Sequence, residues 1–391
     1  MNAPDWSALT QRLLAQAYGL GFDAAGIARL GEPATRAAFE SWLGHSYQAD
    51  MAYLSGAGAA LRADARLPHA GATHALVLAA SYGGREPTGP VARYARGDDY
   101  HESLRERVRA LHHWLEQEVG HAVNARPYVD SGPVLERDLA QRAGLGWFGK
   151  NTMLITPRAG SFVFLASLFV ELELEPSAPF EADRCGSCTR CLDACPTGAL
   201  REARVLDANL CISYLTIEHR EHIAEPLRPL MGGLLYGCDI CNDVCPYNRK
   251  FSKELSEDSP FRPRPFLDGV PSRELALRVL GMGVPEYTEL FRGSAMKRAK
   301  LSGLRRNAAV VLGNTGTEAD LPALIIALGD ALPLVRGHAA WAVGRIGSDA
   351  GFAALRERLA VEPDGAVRAE IESALRAADS APDEMSKSRG T

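Results

Sequence analysis

The sequence predicts a chain of mixed α+β or α/β class in three parts. A mixed domain is expected in residues 1–180, a cysteine-rich domain in residues 181–250, and helical repeats after a linker. Helix and strand patterns alternate in the first part, all eight cysteines lie from Cys185 to Cys245, and one pattern recurs near the C-terminus. A chain of 391 residues with 46% hydrophobic content can bury several cores.

Residues 1–180 show the pattern of a sheet covered by helices. Apolar residues at helical spacing predict helices at Trp6–Tyr18, before Gly19, and at Tyr100–Val119, before Gly120. Short apolar runs predict strands at Ala75–Tyr82, Val123–Val129, Thr152–Thr156 and Ser161–Val170. No G-x-G-x-x-G follows a strand, so a dinucleotide site is unsupported.

The cysteine spacing predicts two iron–sulfur clusters. The first run is C-G-S-C-T-R-C-L-D-A-C-P from Cys185, and the second is C-D-I-C-N-D-V-C-P from Cys238, with Cys211 between them. Eight thiolates are what two [4Fe–4S] clusters need. Zinc also binds C-x-x-C pairs, but it has no use for the third C-x-x-C step or the C-x-x-x-C-P ending. Disulfides are disfavoured in a reducing compartment.

The ligands of each cluster follow from a rule for two-cluster ferredoxins, in which the fourth cysteine of a run binds the other cluster. We therefore predict a ferredoxin-like domain with one cluster on Cys185, Cys188, Cys191 and Cys245, and the second on Cys195, Cys211, Cys238 and Cys241.

The last third of the chain predicts stacked helices. Residues 251–300 read as a linker, stiff at Pro260–Pro265, followed by a basic helical segment. Arg305–Gly316 recurs at Arg336–Gly347, an offset of 31 residues, and Val367–Arg368 begins a third copy. This period predicts HEAT-like repeats over residues 301–379, and residues 380–391 are polar and expected to be flexible.

Charge and hydropathy exclude some functions. The net charge is −5, yet residues 290–317 contain no Asp or Glu and carry Arg292, Lys297, Arg298, Lys300, Arg305 and Arg306. Such a run can bind phosphates, although a solvated helix face explains it more simply. The longest apolar stretch, Phe162–Val170, is too short to span a bilayer, and Met1–Thr10 lacks the features of a signal peptide. We therefore expect a cytoplasmic protein without membrane contact.

The whole chain resembles the epoxyqueuosine reductase family, cobalamin-dependent enzymes of tRNA modification. The resemblance rests on V-D-S-G-P-V-L-E-R from Val129, A-Q-R-A-G-L-G-W-F-G-K-N-T from Ala140, the first cysteine run, C-I-S-Y-L-T-I-E from Cys211, and L-Y-G-C-D-I-C from Leu235. The first domain also resembles the corrinoid-binding domain of reductive dehalogenases. The resemblance implies base-off cobalamin between the first domain and the cluster domain.

The resemblance also implies a reaction. Epoxyqueuosine at the wobble position of tRNA would be reduced to queuosine, a two-electron reductive deoxygenation. An external donor would supply electrons, which pass through the two [4Fe–4S] clusters to cobalamin. Asp130 stands at the family's proton-donor position, although by itself an Asp before Ser-Gly can simply form a turn. The resemblance further implies a monomer.

Further site residues come from the resemblance alone. Cobalamin contacts are expected from Asp130 and from Arg62, Ala92, Lys150, Asn151, Leu154, Leu165, Ser213, Asp239 and Ile240. A surface charge at Arg62 and plain core at Leu154 and Leu165 stay open. Phosphate contacts to tRNA are expected from Lys297, Arg298, Arg305 and Arg306. Arg305 recurs as Arg336 at the repeat period, so a structural role competes there. His101 could touch substrate, but a lone histidine is more often structural.

Three alternatives stay open at this point. A reductive dehalogenase-like corrinoid reductase of a small molecule would share the cofactors. An electron-transfer ferredoxin module would need only residues 181–250. A HEAT-type scaffold would explain only the C-terminal part.

Overall fold

The first domain is built around one four-stranded sheet. The computed structural model describes residues 5–84 and 89–379, so the tail expected to be flexible at residues 380–391 lies outside the described residues. The strands are β1 Ala24–Arg29, β2 His74–Ser81, β3 Ala125–Tyr128, β4 Trp147–Phe148, β5 Leu154–Ile155 and β6 Val163–Val170. The helices are α1 Trp6–Gly19, α2 Arg36–Gly44, α3 Ala57–Arg62, α4 Tyr100–Val119 and α5 Glu136–Arg142.

The sheet has the strand order β1-β2-β6-β3, and every neighbouring pair is antiparallel. The mixed fold class is confirmed, and the antiparallel pairing makes this domain α+β. Strand β1 was absent from the sequence prediction because A-A-G-I-A-R has few strong strand formers. Gly26 has no room for a side chain, since a Cβ there would lie 2.1 Å from the Ala143 carbonyl oxygen.

Alternate residues of β2 face two hydrophobic cores. Leu76, Leu78 and Ala80 pack with the apolar residues of α1 and α4. Ala75, Val77 and Ala79 pack on the opposite face with residues that include Leu139 and Ala140 of α5. This two-sided burial explains why β2 is a continuous apolar run. The chain beyond β3, which holds Asp130, therefore starts from a rigid sheet.

The cysteine-rich domain consists of short elements. They are α6 Arg190–Ala194, β7 Leu200–Glu202, β8 Val205–Leu206, α7 Ile212–Ile217, α8 Ile240–Asp243 and α9 Pro246–Phe251. Cys211 and Cys245 each precede the first residue of a helix, α7 and α9 respectively. Their side chains therefore lie where free backbone amides gather.

The C-terminal part is helical, as predicted. Its helices are α10 Ser272–Gly281, α11 Val284–Leu290, α12 Lys300–Thr315, α13 Leu321–Ala327, α14 Pro333–Ile346, α15 Asp349–Val361 and α16 Gly365–Asp379. The repeated sequence pattern falls on α12 and α14. Gly313 and Gly344 are 31 residues apart and allow close helix packing, because added Cβ atoms would meet Trp341 and Ala374 at 2.4 and 2.6 Å.

One hydrophobic core joins the repeats to the rest of the chain. It includes Val91 of the first domain, Ile212 and Tyr236 of the cysteine-rich domain, and Ala308 and Ala339 of the repeats. In the part of the chain that the structure describes, no helix is both long and apolar enough to cross a membrane.

Candidate active site

A large cleft lies where the three parts of the chain meet. Its volume is about 1870 Å³, and its wall includes Leu165 of the first domain, Tyr236 of the cysteine-rich domain and Arg298 of the basic segment. Sites for drug-sized ligands usually enclose about 300–1,000 Å³. The cleft therefore has room for more than one small molecule.

Asp130 projects into this cleft from the turn after β3. Its side chain is 63% exposed, and its φ of 53° is left-handed, which is uncommon for a residue other than glycine. Two hydrogen bonds hold it. The Tyr100 hydroxyl donates to Asp130 Oδ2 at 2.5 Å, and the Asp130 backbone N–H donates to Glu136 Oε1 at 2.9 Å. A strained backbone fixed in this way is typical of a functional residue.

The two groups that hold Asp130 are both neutral near pH 7. Burial, with the nearby negative charge of Asp130 as the second cause, raises the pKa of the Tyr100 hydroxyl. The same two causes, in the same order, raise the pKa of Glu136 to about 8. The Tyr100 ring stacks on Phe164 at 4.2 Å between ring centroids, so its hydroxyl is firmly oriented.

His101 lies beside this carboxylate and lines the cleft. Its Nδ1 is 2.7 Å from Asp99 Oδ1, and its Nε2 is 3.9 Å from Asp130 Oδ2. The adjacent Tyr100 and Glu136 were not predicted as site residues. The signals in the sequence that could have identified them are the D-Y-H motif that begins at Asp99 and the V-D-S-G-P-V-L-E-R motif that begins at Val129.

Four of the residues predicted to contact a corrinoid line the cleft, namely Arg62, Asp130, Leu154 and Leu165. Arg62 is only 9% exposed, which contradicts the alternative that it is a surface charge. Its guanidinium donates to the carbonyl oxygens of Tyr53 and Gly58 at 3.1 and 3.0 Å. Leu154 is buried in the core and also lines the cleft, so a core position and a cofactor contact are compatible at this residue.

The other six predicted contacts do not line the cleft. They are Ala92, Lys150, Asn151, Ser213, Asp239 and Ile240. Lys150 Nζ instead donates to the Gly186 carbonyl oxygen at 2.7 Å, within the first cysteine run. Asn151 is 3% exposed and donates to Asn242 Oδ1 at 3.1 Å. These side chains connect the first domain to the cysteine loops.

A buried ion pair makes a second connection. Asp239, between Cys238 and Cys241, accepts from the Arg93 backbone N–H at 2.8 Å and lies 3.3 Å from Arg93 Nη1. The Arg93 guanidinium also reaches Asp243 at 2.5 Å. Both partners of the Arg93–Asp239 pair are less than 10% exposed, so removal of one would leave a buried charge.

The eight thiols fall into two groups of electrostatic neighbours. In one group burial raises the pKa of the Cys245 thiol, and Cys185 and Cys188 make smaller contributions. Burial also raises the pKa of the Cys191 thiol, with smaller contributions from Cys185 and Cys245. In the other group burial raises the pKa of Cys238 to about 12, and Cys211 and Cys195 add to this. Cys241 is influenced by Cys238 and Cys211, and more weakly by Cys191 of the first group.

Apart from the effect of Cys191 on Cys241, these influences run within the two ligand sets expected from the crossed ferredoxin rule. Backbone amides also oppose the effect of burial, at Cys211 through Tyr214 and Ser213 and at Cys245 through Asn248 and Tyr247. Amide donors of this kind stabilise thiolate sulfur. In the described ranges no three potential ligands converge as they would on a single ion. In a [4Fe–4S] cluster each thiolate binds a different iron atom, so the four ligands need not converge on one point.

Trp147 makes a direct contact with the first thiol group. Its Nε1–H donates to Cys185 Sγ at 3.4 Å, and the ring is 1% exposed. The indole packs in one apolar cluster with Ile155 and Cys245. The sequence prediction did not include Trp147 in the site.

The residues predicted to contact RNA differ in exposure. Lys297 and Arg298 are exposed, in the short helical turn Ala295–Ala299. Arg306 is fully buried and donates to the carbonyl oxygens of Leu215, His219 and Glu221, so its predicted phosphate contact is wrong.

The structural alternative holds for Arg305. It bonds the Met282 carbonyl oxygen and pairs with Asp330 at 2.8 Å. Arg336 pairs with Glu362 in the same way one repeat later, at 2.7 Å. The repeated arginine therefore fastens each repeat to a neighbouring loop.

Comparisons with known proteins agree with this architecture. A family model described as epoxyqueuosine reductase QueG matches residues 62–131, a 4Fe-4S double cluster binding domain matches residues 184–248, and HEAT repeats match residues 273–376. Epoxyqueuosine reductase from Salmonella typhimurium is 37% identical over 88% of this chain and 90% of its own length. The enzyme from Pseudomonas aeruginosa is also 37% identical, over 89% of this chain and 97% of its own.

The chain belongs to the epoxyqueuosine reductase family. It is therefore an oxidoreductase. A crystal structure of epoxyqueuosine reductase with an epoxyqueuosine-modified tRNA stem loop superposes with a TM-score of 0.85 and 30% identity, and covers 95% of this chain and 99% of that one. A structure of Bacillus subtilis epoxyqueuosine reductase, with its catalytic loop swung out of the active site, superposes with a TM-score of 0.83 and 30% identity. The match covers 95% of this chain and 99% of that one.

Proposed function

We propose that this protein reduces epoxyqueuosine to queuosine at the wobble position of tRNA. The observation that carries the proposal is Asp130, a carboxyl held by Tyr100 and Glu136 and exposed to a cleft that also borders the basic segment. Related enzymes bear the name of this reaction, and one was crystallised with a modified tRNA stem loop.

The cofactor set follows from the residues that could hold it. The crossed thiol groups fit two [4Fe–4S] clusters, with Cys185, Cys188, Cys191 and Cys245 on one and Cys195, Cys211, Cys238 and Cys241 on the other. The volume of the cleft and its apolar wall at Leu154 and Leu165 fit a corrinoid, with Arg62 at its edge. When bound, cobalamin would supply electrons at low potential to the epoxide carbon, while the clusters relay them one at a time from an external donor.

The protein's own task is to deliver protons and hold the substrate. The reaction breaks both C–O bonds of the epoxide, consumes two electrons and two protons, and releases water with the alkene. Asp130 is placed to take up a proton and pass it to the departing oxygen, since its carboxyl projects into the cleft. Tyr100 orients that carboxyl through Oδ2. Lys297 and Arg298 would contact the phosphates of the anticodon loop.

An anaerobic assay tests this function. The purified chain is reconstituted with iron, sulfide and cobalamin, reduced, and given tRNA that contains epoxyqueuosine, and nucleosides are then analysed. We expect queuosine from the wild type and none from Asp130→Asn with clusters and corrinoid intact. Asp349→Asn is the matched control, because Asp349 is exposed at the start of α15 and does not line the cleft. Failure of the fully loaded wild type to convert the tRNA would exclude this substrate.

A further inference from the structure

An aromatic side chain at the edge of the cleft has no role in the packing of the core. Tyr53, in the short helical turn Ala52–Leu54, is 50% exposed and lines the cleft. Its hydroxyl contacts Met51 Sδ at 3.3 Å, so the ring is held at its polar end, and the Arg298 guanidinium lies over one face of the ring while the side chain stays half exposed. A half-exposed ring at a cavity edge offers a flat surface to a ligand.

Tyr53 lines the same cleft as Asp130 and contacts Arg298 of the basic segment. The Arg298 guanidinium carbon is 5.8 Å from the Tyr53 ring centroid. Burial raises the pKa of the Tyr53 hydroxyl, and Glu218, Arg298 and Asp130 are near enough to influence it as well. A substrate that contacts both Arg298 and Asp130 would therefore lie near the Tyr53 ring.

The surroundings of Tyr53 are suited to a polyanion. Arg298 is oriented by Glu218, which accepts from its Nε and Nη2 at 2.9 and 2.8 Å, yet its side chain remains 53% exposed. Lys297 and Arg220 are exposed close by, and Arg220 donates to the Arg298 carbonyl oxygen at 2.7 Å. Cationic groups beside an exposed aromatic ring are the usual pairing in single-stranded nucleic acid sites.

We propose that Tyr53 is a stacking platform for a nucleobase next to the one that enters the cleft, with Arg298 and Lys297 on the adjoining phosphates. This inference rests on the proposed function, because it assumes a single-stranded RNA loop as substrate. It assigns a binding role to a residue that we did not predict from the sequence. Base–aromatic stacking contributes about 1–3 kcal/mol per base, which corresponds to about five- to 150-fold in affinity.

Binding without turnover tests the inference. The probe is an anticodon stem-loop RNA with 2-aminopurine beside the wobble position, titrated onto the reconstituted enzyme with no reductant. Tyr53→Phe keeps the ring, whereas Tyr53→Leu keeps only an apolar side chain. Tyr18→Leu is the matched control, since Tyr18 is 52% exposed and does not line the cleft.

We expect the wild type, Tyr53→Phe and Tyr18→Leu to bind alike and to quench 2-aminopurine fluorescence. Tyr53→Leu should bind about tenfold more weakly and lose the quenching. Equal affinity and quenching in Tyr53→Leu would overturn the inference and leave the proposed function intact. A wild type that does not bind the RNA would overturn both.

A cobalamin titration tests whether the Tyr53 ring contacts the cofactor instead of the RNA. If Tyr53→Leu weakens cobalamin binding and leaves RNA binding unchanged, Tyr53 is part of the cofactor wall and the stacking proposal is wrong. Unchanged cobalamin affinity together with weaker RNA binding is the result that we expect.

Discussion

Glu136 should make the position of Asp130 depend on pH. Glu136 accepts the Asp130 backbone N–H at 2.9 Å, and burial together with the Asp130 charge raises its pKa to about 8. A glutamate released to water has a pKa of about 4.3. We call the arrangement closed when Glu136 is buried and bonded to the Asp130 N–H, and open when that bond is broken and Glu136 meets water. The closed arrangement therefore binds a proton more tightly than the open one. Its stability is highest at low pH and is lost as pH rises from about 4.3 to about 8.

The size of the effect follows from the same values. Between these two pKa values the free energy of the closed arrangement relative to the open one rises by up to about 1.4 kcal/mol per pH unit. The equilibrium constant between them therefore changes by up to about tenfold per pH unit. Because the Glu136 side chain is partly exposed, this slope is an upper limit. Glu136→Gln keeps an oxygen acceptor for the Asp130 N–H and cannot ionise, so the slope should disappear.

Hydrogen exchange followed by mass spectrometry measures this opening on the peptide that contains Asp130. After correction for intrinsic exchange, protection in the wild type should fall from pH 5 to pH 8 and then level off. Protection in Glu136→Gln should stay constant over the same range. Parallel pH profiles for the two proteins would show that Glu136 does not control the loop.

Three further changes test separate parts of the structure. Trp147→Phe removes the N–H that donates to Cys185 Sγ at 3.4 Å and should lower the reduction potential of the cluster that Cys185 would bind. An EPR-monitored redox titration measures this potential, and an unchanged value would refute the prediction. Lys297→Gln should reduce the salt dependence of stem-loop binding by about one unit of slope, and an unaltered slope would exclude a phosphate contact. Arg306→Met leaves three carbonyl oxygens without their arginine donor and should lower the free energy of unfolding by at least about 2 kcal/mol, measured as a lower Tm. The control Arg292→Met, at an exposed site, should leave the Tm unchanged, and an equal Tm in both variants would contradict the prediction.

Local sequence patterns predicted much of the fold because their signals come from neighbouring residues. Helix α4 begins and ends as predicted, since Asp99 caps one end and Gly120 adopts the left-handed conformation at the other. Strands β2 and β6 were predicted from continuous apolar runs. Strand β1 was missed, since its pairing with β2 and the close approach of Ala143 to Gly26 are tertiary facts.

The basic segment shows what local charge cannot decide. Lys297, Arg298, Arg305 and Arg306 look alike as sequence. The structure exposes the first two, pairs the third with Asp330, and buries the fourth among backbone carbonyls. Helix packing determines which of these positive charges faces solvent, and no pattern within the segment reports that packing.

Spacing and motif are properties of the chain alone, so the cysteine pattern, the repeat period and the family could be predicted from the sequence. The neighbours of Asp130, by contrast, come together only when the chain folds. Tyr100 is 30 residues before Asp130, and Tyr53 and Arg298 belong to distant segments, yet all lie along one cleft. Such contacts depend on how the sheet, the cysteine loops and the repeats pack, and that packing sums many weak interactions along the whole chain.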